Sequence, residues 1–245
     1  MDKKLLSKLK NEILPDDLKE IDGITIIQNK NFIKGDNEKY MKMYDWMSYG
    51  YDFVESVIGK LKYGDAINKI RSETISKLEW HDNLSVLYVS IGTGKNLQFI
   101  PQSVNRNTLD ITGIDISLGM LKKCRKKFAA KLNLSLLNCC AEDLPFNDDQ
   151  FDIVFHVGGI NFFNDKKLAI KEMIRVAKKG TKILISDETS DYIDSQYKKS
   201  VLSKKYFEGQ TFDLEELESS IPGEVSDKMT ELFWENKFYR ITFRK

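Results

Sequence analysis

Short apolar runs alternate with helically periodic stretches through the middle of the chain. "LSVLYVSIG" (84–92), "LDITGIDIS" (109–117), "LSLLNCC" (134–140), "FDIVFHV" (151–157) and "TKILISDET" (181–189) have the length and β-branched texture of buried strands. Between them, "NLQFIPQSV" predicts a brief helix, and "LGMLKKCRKKFAAKL" (118–132) and "DKKLAIKEMIRVAKKG" (165–180) predict longer amphipathic ones. The last ends on basic residues and Gly180, as a helix C-terminus should. Buried strands joined through helices close by right-handed crossovers into a parallel sheet covered on both faces. The expected class is therefore α/β, doubly wound. "MTELFWENKFYRITFRK" (229–245) adds two strands to the five, the second alternating in a strand's period of two.

The flanks read differently. Residues 1–35 begin as a basic amphipathic helix and pass into a β-like stretch, "ITIIQNKNFI" (24–33). Residues 36–80 are helical in pattern and crowded with Tyr40, Tyr44, Trp46, Tyr49, Tyr51 and Phe53. This divides the chain into an N-terminal helical extension, 1–80, and a main domain, 81–245. Within the latter, the polar, Tyr-rich residues 190–222 (Tyr192, Tyr197, Tyr206 and Phe207 among them) form a helical excursion.

Composition narrows the partners. At 245 residues and 41% hydrophobic, the chain can bury a sizeable core. Lys plus Arg number 38 against 37 for Asp plus Glu, which gives no global pull toward nucleic acid or an anionic membrane. The basic run "LKKCRKKFAAK" (121–131) reads as the solvated face of a helix. Cys124, Cys139 and Cys140 lack the paired spacing of a zinc site, and no dedicated metal constellation is visible. On a strand, Cys139 and Cys140 point to opposite faces, one toward the core and one toward a pocket wall. No signal-peptide-like stretch opens the sequence, and no run approaches the ~20 apolar residues of a membrane span, so a cytoplasmic location is expected.

The chemistry centres on "VSIGTGKN" (89–96). A phosphate-binding loop needs glycine where Val89 stands and a hydroxyl where Asn96 stands. A dinucleotide fingerprint starting at Gly92 needs glycine at position 97, which is Leu97, so a nicotinamide oxidoreductase is the weaker reading. What remains is a strand ending in two glycines, which admit close approach of a ligand to the backbone, followed by the free N–H groups of a helix start. A second strand ends in Asp115. Neighbouring strands of a doubly wound sheet line one crevice with their carboxyl ends, where a carboxylate can accept from both hydroxyls of a ribose. Loop and acid together specify a nucleoside without a pyrophosphate.

"VLYVSIGTGKNLQFIP", "ITGIDISLGML", "NCCAEDLPFNDDQFDIVF" and "KEMIRVAKKGTKILISDE" resemble, in order, the motifs of class I S-adenosylmethionine-dependent methyltransferases, of the branch that includes the ubiquinone and menaquinone methyltransferases. The resemblance covers roughly residues 84–189. It implies a Rossmann-like, seven-stranded, mostly parallel sheet with one antiparallel strand near the C-terminus, and S-adenosyl-L-methionine as cofactor. It implies that Gly92 and Gly94 face the methionine end, with Ser90 among the cofactor-binding residues, and that Asp115 holds the ribose. Ile116 would lie against the adenine, with Asp143 at its amino group and Glu142 beside it. Two departures stand out: the family usually has an acid at position 88, which helps hold the cofactor's amino group, and a glycine at 90. Here these are Tyr88 and Ser90. They keep open a cofactor-binding relative that does not methylate.

"HVGGINFF" (156–163) would border the transferred methyl. His156 is read as a catalytic base, or as an imidazole packed on the cofactor or donating to a carbonyl in the core. Asn161 stands where many relatives have a histidine and would orient the substrate. Tyr40, Tyr44 and Tyr51 are either packing or part of a lid over the cofactor, as "YGYD" (49–52) resembles an element of that lid. The Asn-Pro-Pro-Tyr that stacks a flipped base in base-modifying relatives is replaced by Asn161-Phe162-Phe163. A small, partly apolar methyl acceptor is expected rather than a nucleic acid.

Overall fold

The computed structural model describes residues 3–14, 16, 18–48, 65–196, 198 and 212–245. Its centre is a sheet of strands β1 (Lys19–Ile21), β2 (Ile24–Ile26), β3 (Ser85–Val89), β4 (Asp110–Asp115), β5 (Leu134–Asn138), β6 (Ile153–Val157), β7 (Lys182–Glu188), β8 (Ser226–Phe233) and β9 (Phe238–Arg244). They lie side by side in the order β1-β2-β5-β4-β3-β6-β7-β9-β8. All pairs from β2 through β7 are parallel, while β9 runs antiparallel to both β7 and β8. The seven expected strands are present in a mostly parallel arrangement. The sheet exceeds the expected seven by a hairpin, because β1 and β2 add to the edge beyond β5, with Thr25 opposite Leu137. Asp22 and Gly23 join them with φ of 51° and 67°, the left-handed pair that a two-residue hairpin turn requires. Ile24 is fully buried there, while the rest of "ITIIQNKNFI" leaves the sheet after Ile26.

Alternation along each central strand divides the core in two. Leu87 and Val89 of β3 face the layer that contains α5 (Lys166–Val176), which contributes Ala169, Ile170 and Met173. Val86 and Tyr88 face the opposite layer, with Leu121 and Cys124 of α4 (Leu118–Phe128). The N-terminal helix α1 (Lys3–Leu6) is shorter than the pattern suggested, and Leu5 and Leu9 are buried in the first of these cores. The helix α2 (Gly35–Met47) instead crosses the carboxyl ends of the strands, and α3 (Ala66–Ser76) packs beside the loop after β3. Two further helices, α6 (Ser190–Gln196) and α7 (Leu214–Ser219), lie in the expected excursion.

Strand order reverses at β3, whose following strands β4 and β6 flank it on opposite sides. In doubly wound sheets that reversal opens a crevice outside the carboxyl ends. Among the described residues, no helix is long and apolar enough to cross a membrane.

Candidate functional site

The crevice is a cavity of about 280 Å³ between the ends of β3, β4, β6 and β7 and the covering helix α2. Its first wall is the loop after β3. Ser90, with φ of 55°, and Gly92, with φ of 56°, both take the left-handed conformation. That conformation suits glycine but costs a serine about 1 kcal/mol, so the departure at 90 leaves a strained residue in the crevice wall. Space beyond the Gly92 Cα is open, and its N–H donates to Asp115 Oδ2 over 2.8 Å.

Asp115 ends β4 and is almost wholly buried. Its second oxygen, Oδ1, accepts from the Ser117 N–H at 2.8 Å. Burial, helped by the nearby Asp45, raises its carboxyl to about 6 against the backbone donors, which lower it. Each carboxylate oxygen has two lone pairs, so the two backbone bonds hold the group in place and leave acceptor capacity toward the crevice. Ile116 continues the wall. On the next loop, Cys139, Cys140, Ala141 and Glu142 line the cavity. Both cysteines are buried wall residues, and Cys139 is also part of the core, where one of the two was expected in the core and the other on the wall. Glu142 Oε1 accepts from Asn37 Nδ2 of α2 at 2.8 Å, and burial raises its carboxyl above the usual range.

Five of the expected cofactor residues, Ser90, Gly92, Asp115, Ile116 and Glu142, thus converge on one cavity. Four other expected site residues take different places. Gly94 packs against α4, where a Cβ would lie 2.6 Å from Cys124 Sγ and 3.0 Å from the Phe128 ring; that close approach is what its glycine allows, and it does not line the cavity. Asp143 turns outward to Asn29 Nδ2 at 2.9 Å and Lys10, because adjacent residues diverge and Glu142 takes the inward direction. His156 is fully buried beneath the crevice, with Val157 forming the lining at that level. Its Nδ1 lies 3.2 Å from the Val89 carbonyl, and burial lowers its imidazole to about 4, so the ring is neutral and donates that bond. Of the readings given for it, this geometry matches the core histidine bonded to a carbonyl. Asn161 Nδ2 donates to the Glu188 carbonyl at 2.9 Å, and its Oδ1 accepts from the Tyr239 hydroxyl at 3.3 Å. It pins the loop after β6 to β7 rather than lining the cavity. Tyr51, with Tyr49, Phe53, Tyr197, Tyr206 and Phe207, lies outside the described residues.

Two further groups of residues line the cavity, some of them foreseen and some not. Opposite Asp115, Phe162, Phe163, Tyr192 and Phe238 surround Asp187 and Glu188 at the end of β7. Of these, Phe162 and Phe163 belong to the stretch expected to border the transferred methyl and Tyr192 to the Tyr-rich excursion, whereas the acids and Phe238 carried no motif. Asp187 is buried and accepts from the N–H groups of Gly159 and Asn161 at 2.9 and 3.3 Å. The second group is Arg71, Asn96 and Tyr88 at the loop end of the cavity. Tyr40 of α2 closes the top, stacked on Phe162 with ring centroids 4.5 Å apart. Tyr44 lines the cavity beside it. The described residues hold no group of three His, Cys, Asp or Glu side chains that could bind a metal ion.

The donor set suits an adenosyl group: an acid for vicinal hydroxyls, an apolar wall at Ile116, and an open glycine loop. Comparison with known proteins agrees. A family model described as a methyltransferase domain matches residues 87–185. The chain is similar to a demethylmenaquinone methyltransferase of Shouchella clausii, 30% identical over 79% of this chain and 85% of that protein. It is also similar to the ubiquinone/menaquinone biosynthesis C-methyltransferase UbiE of Geotalea daltonii, 32% identical over 60% of this chain and 62% of that one. The match thus spans about three-fifths of the Geotalea protein's length. The crystal structure of the cyclase SpnF superposes with a TM-score of 0.63 at 14% identity, covering 84% of this chain and 96% of that one. That likeness concerns the fold alone.

Proposed function

The chain belongs to the class I S-adenosylmethionine-dependent methyltransferases, and from that premise we propose that it methylates a small, partly apolar, ring-bearing molecule of the quinone type. S-adenosylmethionine is the cofactor of this family, and its sulfonium supplies an electrophilic methyl group for in-line transfer. The observation that carries the proposal is the convergence of the Gly92 loop and Asp115 on a cavity whose opposite half is aromatic. In-line transfer disperses charge rather than creating it, so the protein's task is alignment and exclusion of water, worth several kcal/mol.

Each half of the crevice has its part in that task. Asp115 and Ile116 orient the nucleoside, and the aromatic half receives the acceptor. The names of the Shouchella and Geotalea relatives, both of quinone metabolism, support an apolar ring held among Phe162, Phe163, Tyr192 and Phe238. Asp187 and Glu188 offer acceptors to a ring hydroxyl there. A carboxylate in that position can take a hydroxyl proton as the ring carbon or oxygen attacks.

The test pairs calorimetry with adenosylhomocysteine and a labelled-methyl assay on pooled acceptors that include demethylated quinols, catechols and small amines. Cofactor binding with label transferred to a quinol is the expected result. Binding without transfer to any pool supports instead a non-catalytic member of the fold, the reading that Tyr88 and Ser90 favour. Transfer to amines alone overturns the quinone-type acceptor.

A further inference from the structure

The basic run 121–131 divides into two sides. Lys122 pairs with Asp22 at 2.9 Å and Arg125 donates to the Gly23 carbonyl at 2.8 Å, so one side of α4 clamps the turn between β1 and β2. Lys126 and Lys131 instead line a groove of about 520 Å³ at the C-terminal end of the helix, and among the described residues neither has an ion pair. Arg106 lines the same groove. It donates from Nη2 to the Gln98 and Ile100 carbonyls at 3.2 and 2.5 Å, bonds that hold the guanidinium without cancelling its charge. Leu97, Phe128 and Leu132 give the groove an apolar floor, and no acidic side chain lines it. We propose that this groove binds an organic phosphate, with the phosphate among Arg106, Lys126 and Lys131 and the apolar part of the ligand on Phe128 and Leu132.

The helix end does not account for this charge by itself. A helix C-terminus carries roughly half a negative charge, less than any one of these cations. Like charges around a concave apolar surface repel one another and focus their field on what enters. A phosphate monoester brings about −1.5 to −2 at neutral pH, which a single carboxylate does not match. Arg106 keeps Nη1 and Nε as donors for its oxygens. The volume lies within the roughly 300–1,000 Å³ of small-molecule sites. This groove and the crevice lie on two sides of one short helix, Lys95–Phe99: Lys95 and Asn96 line the crevice, Leu97 and Gln98 the groove. The two cavities share no lining residue, so both can be filled at once.

Calorimetry with phenyl phosphate, inorganic phosphate and phenol tests this. Phenyl phosphate should bind about tenfold tighter than either fragment, because ring and phosphate each find a partner, and should weaken as salt rises. Lys126→Glu combined with Lys131→Glu should cost it about tenfold or more, whereas Lys126→Arg combined with Lys131→Arg should keep it. Neither pair lies in the crevice, so the melting temperature and the affinity for adenosylhomocysteine check that the fold is intact. Phenyl phosphate should also bind when adenosylhomocysteine saturates the crevice. Displacement by adenosylhomocysteine overturns the proposal, as does a charge-reversed variant whose affinity for phenyl phosphate is unchanged. Failure of phenyl phosphate to bind overturns it too, whether or not a single-stranded oligonucleotide or an acidic peptide binds in its place. If adenosylhomocysteine does not bind the parent, the methyl-donor reading falls, and the two pairs of variants still decide the groove.

Discussion

Ser117 joins the crevice acid to the helix above it: its N–H donates to Asp115 Oδ1 at 2.8 Å, and its hydroxyl donates to Asp45 Oδ1 at 2.6 Å. Asp45 belongs to α2 and also accepts from the Gly119 N–H at 2.9 Å, so a carboxylate from the covering helix sits at the positive N-terminus of α4. At its other end α2 is held by Asn37 on Glu142. We propose that this helix, fastened at both walls of the crevice, acts as a lid whose closure and donor binding reinforce each other.

Gly119 is where that closure can be tested without disturbing the crevice. A Cβ at this position would lie 2.6 Å from Ser48 Oγ and 3.2 Å from Asp45 Oδ1, so the lid approaches α4 too closely for a side chain. Within α4 itself, alanine is more favourable than glycine by about 0.5–1 kcal/mol. Gly119→Ala should therefore keep or slightly raise the melting temperature while weakening adenosylhomocysteine by about fivefold or more, since closure no longer adds to binding. Calorimetry alongside thermal unfolding reads both quantities. Unchanged affinity would mean that α2 does not contribute to the donor's site.

Asp115 should give donor binding a pH dependence. Its carboxyl, at about 6 through burial, accepts strongly only when ionised. Affinity should be flat above pH 7 and fall as pH drops through 6. Asp115→Ala should lose about a hundredfold at pH 7.5, the scale of two charge-assisted bonds, and show no such fall. Because Asp45 contributes to raising Asp115, Asp45→Ala should move the midpoint to lower pH. A midpoint that stays put in that variant would show that the two carboxylates do not sense each other.

Much of this architecture was readable from residue pattern. The alternation Val86-Leu87-Tyr88-Val89 marks a strand buried on both faces, and the pairing of a glycine loop with Asp115 follows from strand order alone. The hairpin at the sheet edge carried its own signal in Asp22-Gly23, and its second strand opens the stretch read as β-like, but the three exposed residues of β1 give too little periodicity to register. Gly92 and Gly94 look equivalent in sequence, yet only one meets the crevice; the other yields its space to Cys124 and Phe128, neighbours that appear only once α4 packs. The same holds for Glu142 and Asp143, which turn in opposite directions. Arg71 carries no motif at all. In "AINKIRSETIS" it reads as a surface arginine, and only the packing of α3 against the loop after β3 brings it to Asn96.

Asp187 should separate the two halves of the crevice. It holds the N–H groups of Gly159 and Asn161, and so shapes the loop that carries Phe162 and Phe163. Asp187→Asn removes the charge and replaces one acceptor oxygen by a donor. The variant should bind adenosylhomocysteine within about threefold of the parent, but its kcat/KM for the acceptor should fall by about tenfold or more, the loss of one well-made bond. Equal losses in donor binding and turnover would place Asp187 in the donor's half instead.

His156 should act on stability rather than on turnover. Its imidazole is fully buried, donates to the Val89 carbonyl, and is lowered to about 4 by burial, against about 6.5 in an unfolded chain. The unfolded state therefore takes up the proton more readily, and the group's contribution is complete above pH 6.5 and lost progressively as pH falls toward 4. The contribution is roughly 3 kcal/mol. Asp115 works in the opposite sense: its raised carboxyl makes the fold more stable as pH drops from about 6 toward its ordinary value. The difference between parent and variant at each pH isolates the histidine. His156→Asn keeps a donor near the Nδ1 position and removes the titration. In urea unfolding it should be less stable at pH 7.5 because of the smaller side chain, and the gap should close as pH falls below 6. With kcat within about fivefold of the parent, the imidazole is a core bond. A constant gap across that range would mean the ring is not buried neutral, and a variant that keeps donor affinity yet loses turnover by a thousandfold would restore it as a base.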